Sequence, residues 1–134
     1  MKNWVIVAVL FCFLLFGCAA MAEKNRLKSF SRINEAYEHA LRMSDFDAAV
    51  KFLDPATVKN TPDLKIMKGF KIVEYRPTRV DVSENKEKIT QDVELQYYRL
   101  NSNILRTVHD PQVWRFQQED NIWRLQTGLP DLRP

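Results

Sequence analysis

Histidine is the side chain most readily used for acid–base chemistry near neutral pH, and this chain has two, His39 and His109. His39 stands two residues from Tyr37, about 200° round a helix, and so points to solvent if Tyr37 is buried. His109 precedes Asp110-Pro111 and has an adjacent carboxylate, but the position reads as a polar bend or strand end. Asp92 and Glu94 are spaced to share one strand face, as a pair of catalytic carboxylates would be. The solvent face of a half-buried strand accounts for the same spacing. Asp45 and Asp47 read as residues of a helix start. No histidine falls on an apolar face and every strand acid falls on a polar one, so no catalytic residue is assigned. The remaining candidates are tyrosines, which titrate near 10 and orient ligands more readily than they abstract protons.

Metal and cofactor chemistry find no support. The two cysteines, Cys12 and Cys18, lie near the N-terminus, leaving the rest of the chain without a disulfide. With two histidines and no further cysteine, a zinc site of the usual type is not expected. Beyond Gly17 the glycines are Gly69 and Gly128, so no Gly-rich phosphate loop exists. The formal net charge is +3 without a basic block, which argues against nucleic acid as a partner. No cofactor is expected.

Cys18 is the exception among these groups, because of what precedes it. Lys2 is a short positive region, Trp4 to Phe16 is an unbroken apolar run, and Gly17, Cys18, Ala19, Ala20 and Ala22 are small. That order is the order of an export signal; an uncleaved anchor is the rival, since Trp4 to Ala22 approaches a bilayer span. Two cleavage readings compete. Ala20-Met21-Ala22 is an A-x-A site that would release a soluble periplasmic or secreted protein at Glu23. Leu14-Leu15-Phe16-Gly17-Cys18 resembles the lipobox of bacterial lipoproteins, and this reading is preferred. The resemblance implies cleavage before Cys18 and lipidation of its thiol, with several acyl chains making a lasting anchor. Ala19, where many such lipoproteins carry an aspartate for inner-membrane retention, implies the outer membrane with the domain facing the periplasm. Residues 1–17 are then signal peptide, 18–24 a lipidated tether, and 25–134 one domain, a length that suits a single core.

The domain begins with helices. Leu27, Phe30, Ile33, Tyr37, Ala40 and Leu41 recur at spacings of three and four, predicting a helix over about 24–43. Ser44 with Asp47 has the form of a capping box for a second helix over about 45–53, stopped by Asp54-Pro55. Thr61-Pro62 predicts the start of a third, short helix ending at Gly69. Then the period changes. Phe70 to Val82 is rich in strand formers, with Pro77 marking an edge or a bulge. Ile89, Val93, Leu95 and Tyr97 alternate with polar residues. Ile104 to Phe116 reads as a long strand bent at Asp110-Pro111, and Ile122 to Thr127 as the last strand. Helices followed by four antiparallel strands make an α+β plan, with the helices packed on a curved sheet.

The helix bearing Tyr37, the Ser44-Asp45-Phe46-Asp47-Ala48-Ala49 segment, and the hairpin joining Trp114-Arg115-Phe116 to Trp123-Arg124-Leu125 resemble the NTF2-like, cone-shaped α+β fold. That superfamily holds enzymes, ligand carriers and binding modules, so the resemblance implies a fold rather than an activity. Its enzymes place an Asp or His in the cone, and no clear match to those positions is found. Tyr37, Tyr75, Tyr97, Trp114 and Trp123 either fill the core or line a small apolar pocket with a few polar groups. NTF2-like domains often dimerise through the sheet, where Tyr98, Leu100 and Leu105 would serve a homodimer. The expectation is an envelope lipoprotein, membrane-bound through its lipid. Its domain binds a partner protein or small apolar ligand without turnover; a tethered enzyme with a cavity carboxylate or histidine is the alternative.

Overall fold

The computed structural model describes residues 2–133, without the side chains of residues 12–16. The side chains of Leu14, Leu15 and Phe16, on which the lipobox resemblance rests in part, therefore lie outside what is described. Helix α1, Lys2–Arg42, is longer than the expected 24–43 because no proline interrupts the run from the apolar N-terminal stretch into the amphipathic stripe. Among the described side chains of its first half none is buried, and Trp4, Val5, Ile6, Val7, Val9, Leu10 and Phe11 are all exposed. Burial starts at Phe30 and continues through Tyr37, Ala40 and Leu41, the stripe read from the sequence. No helix is long and apolar enough to cross a membrane among the described residues.

Ser44 closes α1 rather than opening the next helix, which corrects the capping-box expectation. Its φ is 59°, its N–H bonds Leu41 O at 3.1 Å, and Asp45 N–H bonds Ala40 O at 2.9 Å. These two bonds around a left-handed residue form a Schellman closure. Asp45 then caps α2, Phe46–Val50, by accepting from Ala48 N–H at 3.1 Å. Helix α2 is shorter than expected, and Phe52–Asp54 instead runs beside the last strand. Leu125 N–H bonds Phe52 O and Asp54 N–H bonds Leu125 O, both at 2.8 Å. Helix α3, Leu64–Met67, starts two residues later than Thr61-Pro62 suggested, because Asp63 is the cap and accepts from Lys65 N–H.

Four antiparallel strands follow in the order β1-β2-β3-β4: Phe70–Val82, Lys88–Arg99, Arg106–Gln117 and Ile122–Leu125. The protein is α+β, with helices on a four-stranded antiparallel sheet, compatible with the cone-shaped fold. β1 is an edge strand with pairing irregularities at Ile72/Glu74 and Pro77/Arg79, as Pro77 suggested. The first irregularity changes phase, so Phe70, Ile72 and then Tyr75 face the core, with Glu74 only partly buried. Val80 and Val82, which alternate at the far end of β1, are exposed.

β3 does not break at Asp110-Pro111, correcting the expected bend; it pairs with β2 continuously from Arg106 to Arg115. A proline is tolerated because β4 pairs only from Trp114 to Gln117, leaving Pro111 beside an open edge where no N–H is needed.

Candidate functional site

The helix-covered face of the sheet carries polar residues in a place the apolar alternation did not reveal. Ile89, Val93, Leu95 and Tyr97 are buried as expected, and Gln91 is buried with them. On β3 the buried row is Asp110, Gln112 and Trp114. Gln91 is directly opposite Gln112, Val93 opposite Asp110, and Ile89 opposite Trp114. Helix α1 lays Asn34 and Tyr37 over this row.

Gln112 is the hub. Its Oε1 accepts from Gln91 Nε2 at 2.8 Å and from Trp114 Nε1 at 3.0 Å, and lies 3.1 Å from the Tyr75 hydroxyl. Asn34 Oδ1 accepts from Gln91 Nε2 at 2.9 Å and lies 2.9 Å from the Tyr75 hydroxyl. Gln112 Nε2 donates to Asp110 Oδ2 at 2.8 Å. Buried polar groups are costly unless paired, and this network pairs them side chain to side chain.

Two groups in the cluster are electrostatically unusual. Burial pushes the Asp110 carboxyl up to about 6, against the lowering effect of the Gln112 amide. Tyr37 is fully buried, and its hydroxyl has no hydrogen-bond partner among the described residues. Burial raises its pKa well above the ordinary value, making it a weaker acid, with the charge of Asp110 adding to the effect. A buried carboxyl that holds its proton more readily than in water, with an unpaired hydroxyl in the same interior, is the candidate acid–base site of this fold. This corrects the inference that every strand acid faces solvent. The phase of Trp114 was the missed signal, since Asp110 and Gln112 precede it at steps of two.

The five aromatics expected as core or pocket are all buried, and do not converge on one opening. Trp114 lies edge-to-face against Tyr37 at 5.4 Å and Phe30 at 5.8 Å, and Phe30 meets Trp123 at 5.2 Å. These three, Tyr37, Trp114 and Trp123, fill the layer between α1 and the sheet. Tyr75 joins the polar row. Tyr97 is at the other end of its strand, where its hydroxyl donates to Arg133 O at 2.9 Å.

A surface cleft of about 560 Å³ opens elsewhere, between α1 and the β3–β4 hairpin. Ala22, Asn25, Arg26 and Ser29 form one wall, and Phe116, Gln118 and Asn121 the other. The Arg26 guanidinium is 5.5 Å from the Phe116 ring centre, and its Nη1 donates to Asn85 O at 2.8 Å. Trp123 Nε1 donates to Arg26 O at 3.0 Å and Ser29 Oγ at 3.1 Å, fixing α1 against the hairpin.

The histidines fall as expected, both exposed, although His109 is in mid-strand opposite Glu94 rather than at a bend. Asp92 and Glu94 point away from the core, and Glu94 pairs with Arg76. Cys18 is a free, exposed thiol. No group of three or more potential metal ligands occurs among the described residues. The chain matches no protein-family model, no curated protein and no solved structure.

Proposed function

We propose that this chain is an envelope lipoprotein, anchored through Cys18 to the outer membrane, whose NTF2-like domain binds a partner protein or small apolar ligand without turnover. The observation that carries the reading is the exposure of the whole apolar stretch from Trp4 to Phe11, while the core starts at Phe30. A run of that composition stabilises nothing in the domain, so a role in export and membrane attachment accounts for it. Binding without turnover is supported by the interior, where Tyr37 packs on Trp114 and Phe30 joins Trp114 to Trp123, all edge-to-face, in the space a substrate would need. The cleft beside Arg26 and Phe116 is the better place for a ligand, and cleavage before Cys18 keeps its Ala22 wall whole.

The test is palmitate labelling of the expressed chain with membrane fractionation. The wild type takes up label and fractionates with the outer membrane; Cys18→Ser does neither. Equal labelling of both would sink the lipobox, and a mature N-terminus at Glu23 would establish the A-x-A site instead.

One observation favours the enzyme alternative, namely the buried Asp110 carboxyl, pushed up to about 6, in the same interior as the unpaired Tyr37 hydroxyl. It is separated by screening esters and enolisable ketones as substrates. Turnover that disappears in Asp110→Asn would establish the enzyme; its absence throughout keeps the binding reading.

A further inference from the structure

The β2–β3 connection carries three large aliphatic side chains in the open: Leu100 and Ile104, each 61 % exposed, and Leu105, 55 % exposed. Leu100 N–H bonds Gly69 O at 2.8 Å, and Gly69 N–H bonds Ile66 O at 3.0 Å. That chain of bonds sets Ile66, 65 % exposed, beside the same loop.

Bases surround these side chains. Arg99 and Arg106 bracket the loop, and the residues between them include no acid. Lys71 is opposite Tyr98 in the sheet, and Lys65 adjoins Ile66. The cluster lies at the end of the domain where α1 finishes, since Lys71 Nζ donates to Arg42 O. The tether lies at the other end, where Arg26 reaches Asn85 and the cleft includes Ala22. The helical rise separates Cys18 from Arg42 by about 36 Å.

We propose that this tip docks on an anionic phospholipid surface. Ile66, Leu100, Ile104 and Leu105 enter the headgroup layer while Lys71 and Arg99 meet lipid phosphates. Exposed aliphatics flanked by Lys and Arg match that environment on both counts. A protein partner fits less well. A stable interface buries about 800 Å² per side, with aromatics enriched at its centre, whereas this tip is a narrow loop end whose exposed side chains are aliphatic. A bilayer needs no matching surface. The tip stands apart from the Cys18 anchor and does not depend on it.

The test uses the chain as membranes yield it, reconstituted through its N-terminal anchor into phosphatidylcholine vesicles, with fluorescent phosphatidylglycerol vesicles added. Co-flotation of the chain with the first vesicles reads the anchor separately. A chain that fails to insert is floated directly with each type of lipid, so the two readings fail independently. The wild type recruits phosphatidylglycerol vesicles, ignores added phosphatidylcholine vesicles, and loses recruitment as salt rises. The pairs Ile104→Ser with Leu105→Ser, and Lys71→Gln with Arg99→Gln, each lower recruitment about tenfold. Val80→Ser, on the exposed part of β1, leaves it unchanged. Near-ultraviolet dichroism from the buried tryptophans checks that each variant is folded. No recruitment, equal recruitment of neutral vesicles, or full recruitment by either double variant overturns the proposal. So does capture by polyglutamate-coated beads without recruitment of phosphatidylglycerol, which assigns the tip to an acidic protein.

Discussion

Gln112 Nε2 donates a 2.8 Å hydrogen bond to Oδ2 of Asp110, two positions back on the same buried strand face. That bond orients the Gln112 amide, turning its Oε1 toward Gln91 and Trp114. The carboxyl thereby sets the polarity of a row crossing two strands. It does so from a site where burial favours its protonated form.

The first prediction is a pH dependence of stability. Asp110 in the folded protein binds its proton up to about pH 6, whereas an unfolded aspartate releases it near pH 3.9. Its stabilising contribution is complete below about pH 4 and is lost as pH rises through 6, amounting to roughly 3 kcal/mol. Asp110→Asn keeps an acceptor for Gln112 and removes the titration. Denaturant titrations from pH 4 to 7 should show the wild type losing stability relative to Asp110→Asn as pH rises. Parallel curves for the two proteins would mean the carboxyl is solvated.

The second prediction concerns the joint between α1 and the β3–β4 hairpin. Trp123 is almost completely buried and donates to both Arg26 O and Ser29 Oγ. Trp123→Ala should cost about 3–5 kcal/mol, the range for large aromatics removed from a core. His39→Ala, on the exposed side of the same helix, should stay within about 0.5 kcal/mol of wild type. Chemical denaturation of the pair measures both, and a loss below about 1 kcal/mol for Trp123→Ala would contradict its placement.

Much of the fold was legible because apolar spacing reports which face is buried. The stripe from Leu27 to Leu41 and the alternation from Ile89 to Tyr97 both carried over to the structure. What escaped was polar. Gln91 is in phase with Ile89 and Val93, yet a glutamine there reads as an interruption, because its burial depends on partners from another strand and from α1. Asp110 was obscured by Pro111, which suggests a bend unless one knows that β4 stops short of it. Capping suffered likewise: Ser44 and Asp45 are both plausible caps, and only the left-handed Ser44 backbone shows which helix each serves.

That backbone gives a third prediction. Ser44 holds a φ of 59°, a conformation glycine adopts without the Cβ penalty. Its hydroxyl offers little in exchange, lying 3.5 Å from Phe70 O. Ser44→Gly should therefore leave stability unchanged or raise it, while Ser44→Val should lower it by about 1 kcal/mol or more. Thermal melts of the two variants, read as a difference, test the Schellman closure; a melting point for Ser44→Val equal to that of Ser44→Gly would show that the turn relaxes.

The last prediction turns on the Tyr37 hydroxyl. It is buried without a partner, and an unsatisfied buried hydroxyl costs about 1–3 kcal/mol. Its ring is well placed, edge-to-face with Trp114 and Phe52 at 5.4 and 5.7 Å. Tyr37→Phe keeps those contacts and deletes only the oxygen, so it should be neutral or stabilise by about 1 kcal/mol. Tyr37→Leu loses the aromatic contacts and should destabilise. Asp110 divides the explanations for an orphan oxygen, because its charge contributes to the raised pKa of Tyr37. If Tyr37→Phe gains the same stability in the wild-type and Asp110→Asn backgrounds, the hydroxyl is a packing remnant. If Tyr37→Phe is instead destabilising, and the cost vanishes in Asp110→Asn, the two groups share a bound water or ligand, and the interior acid–base pair gains weight over the binding reading.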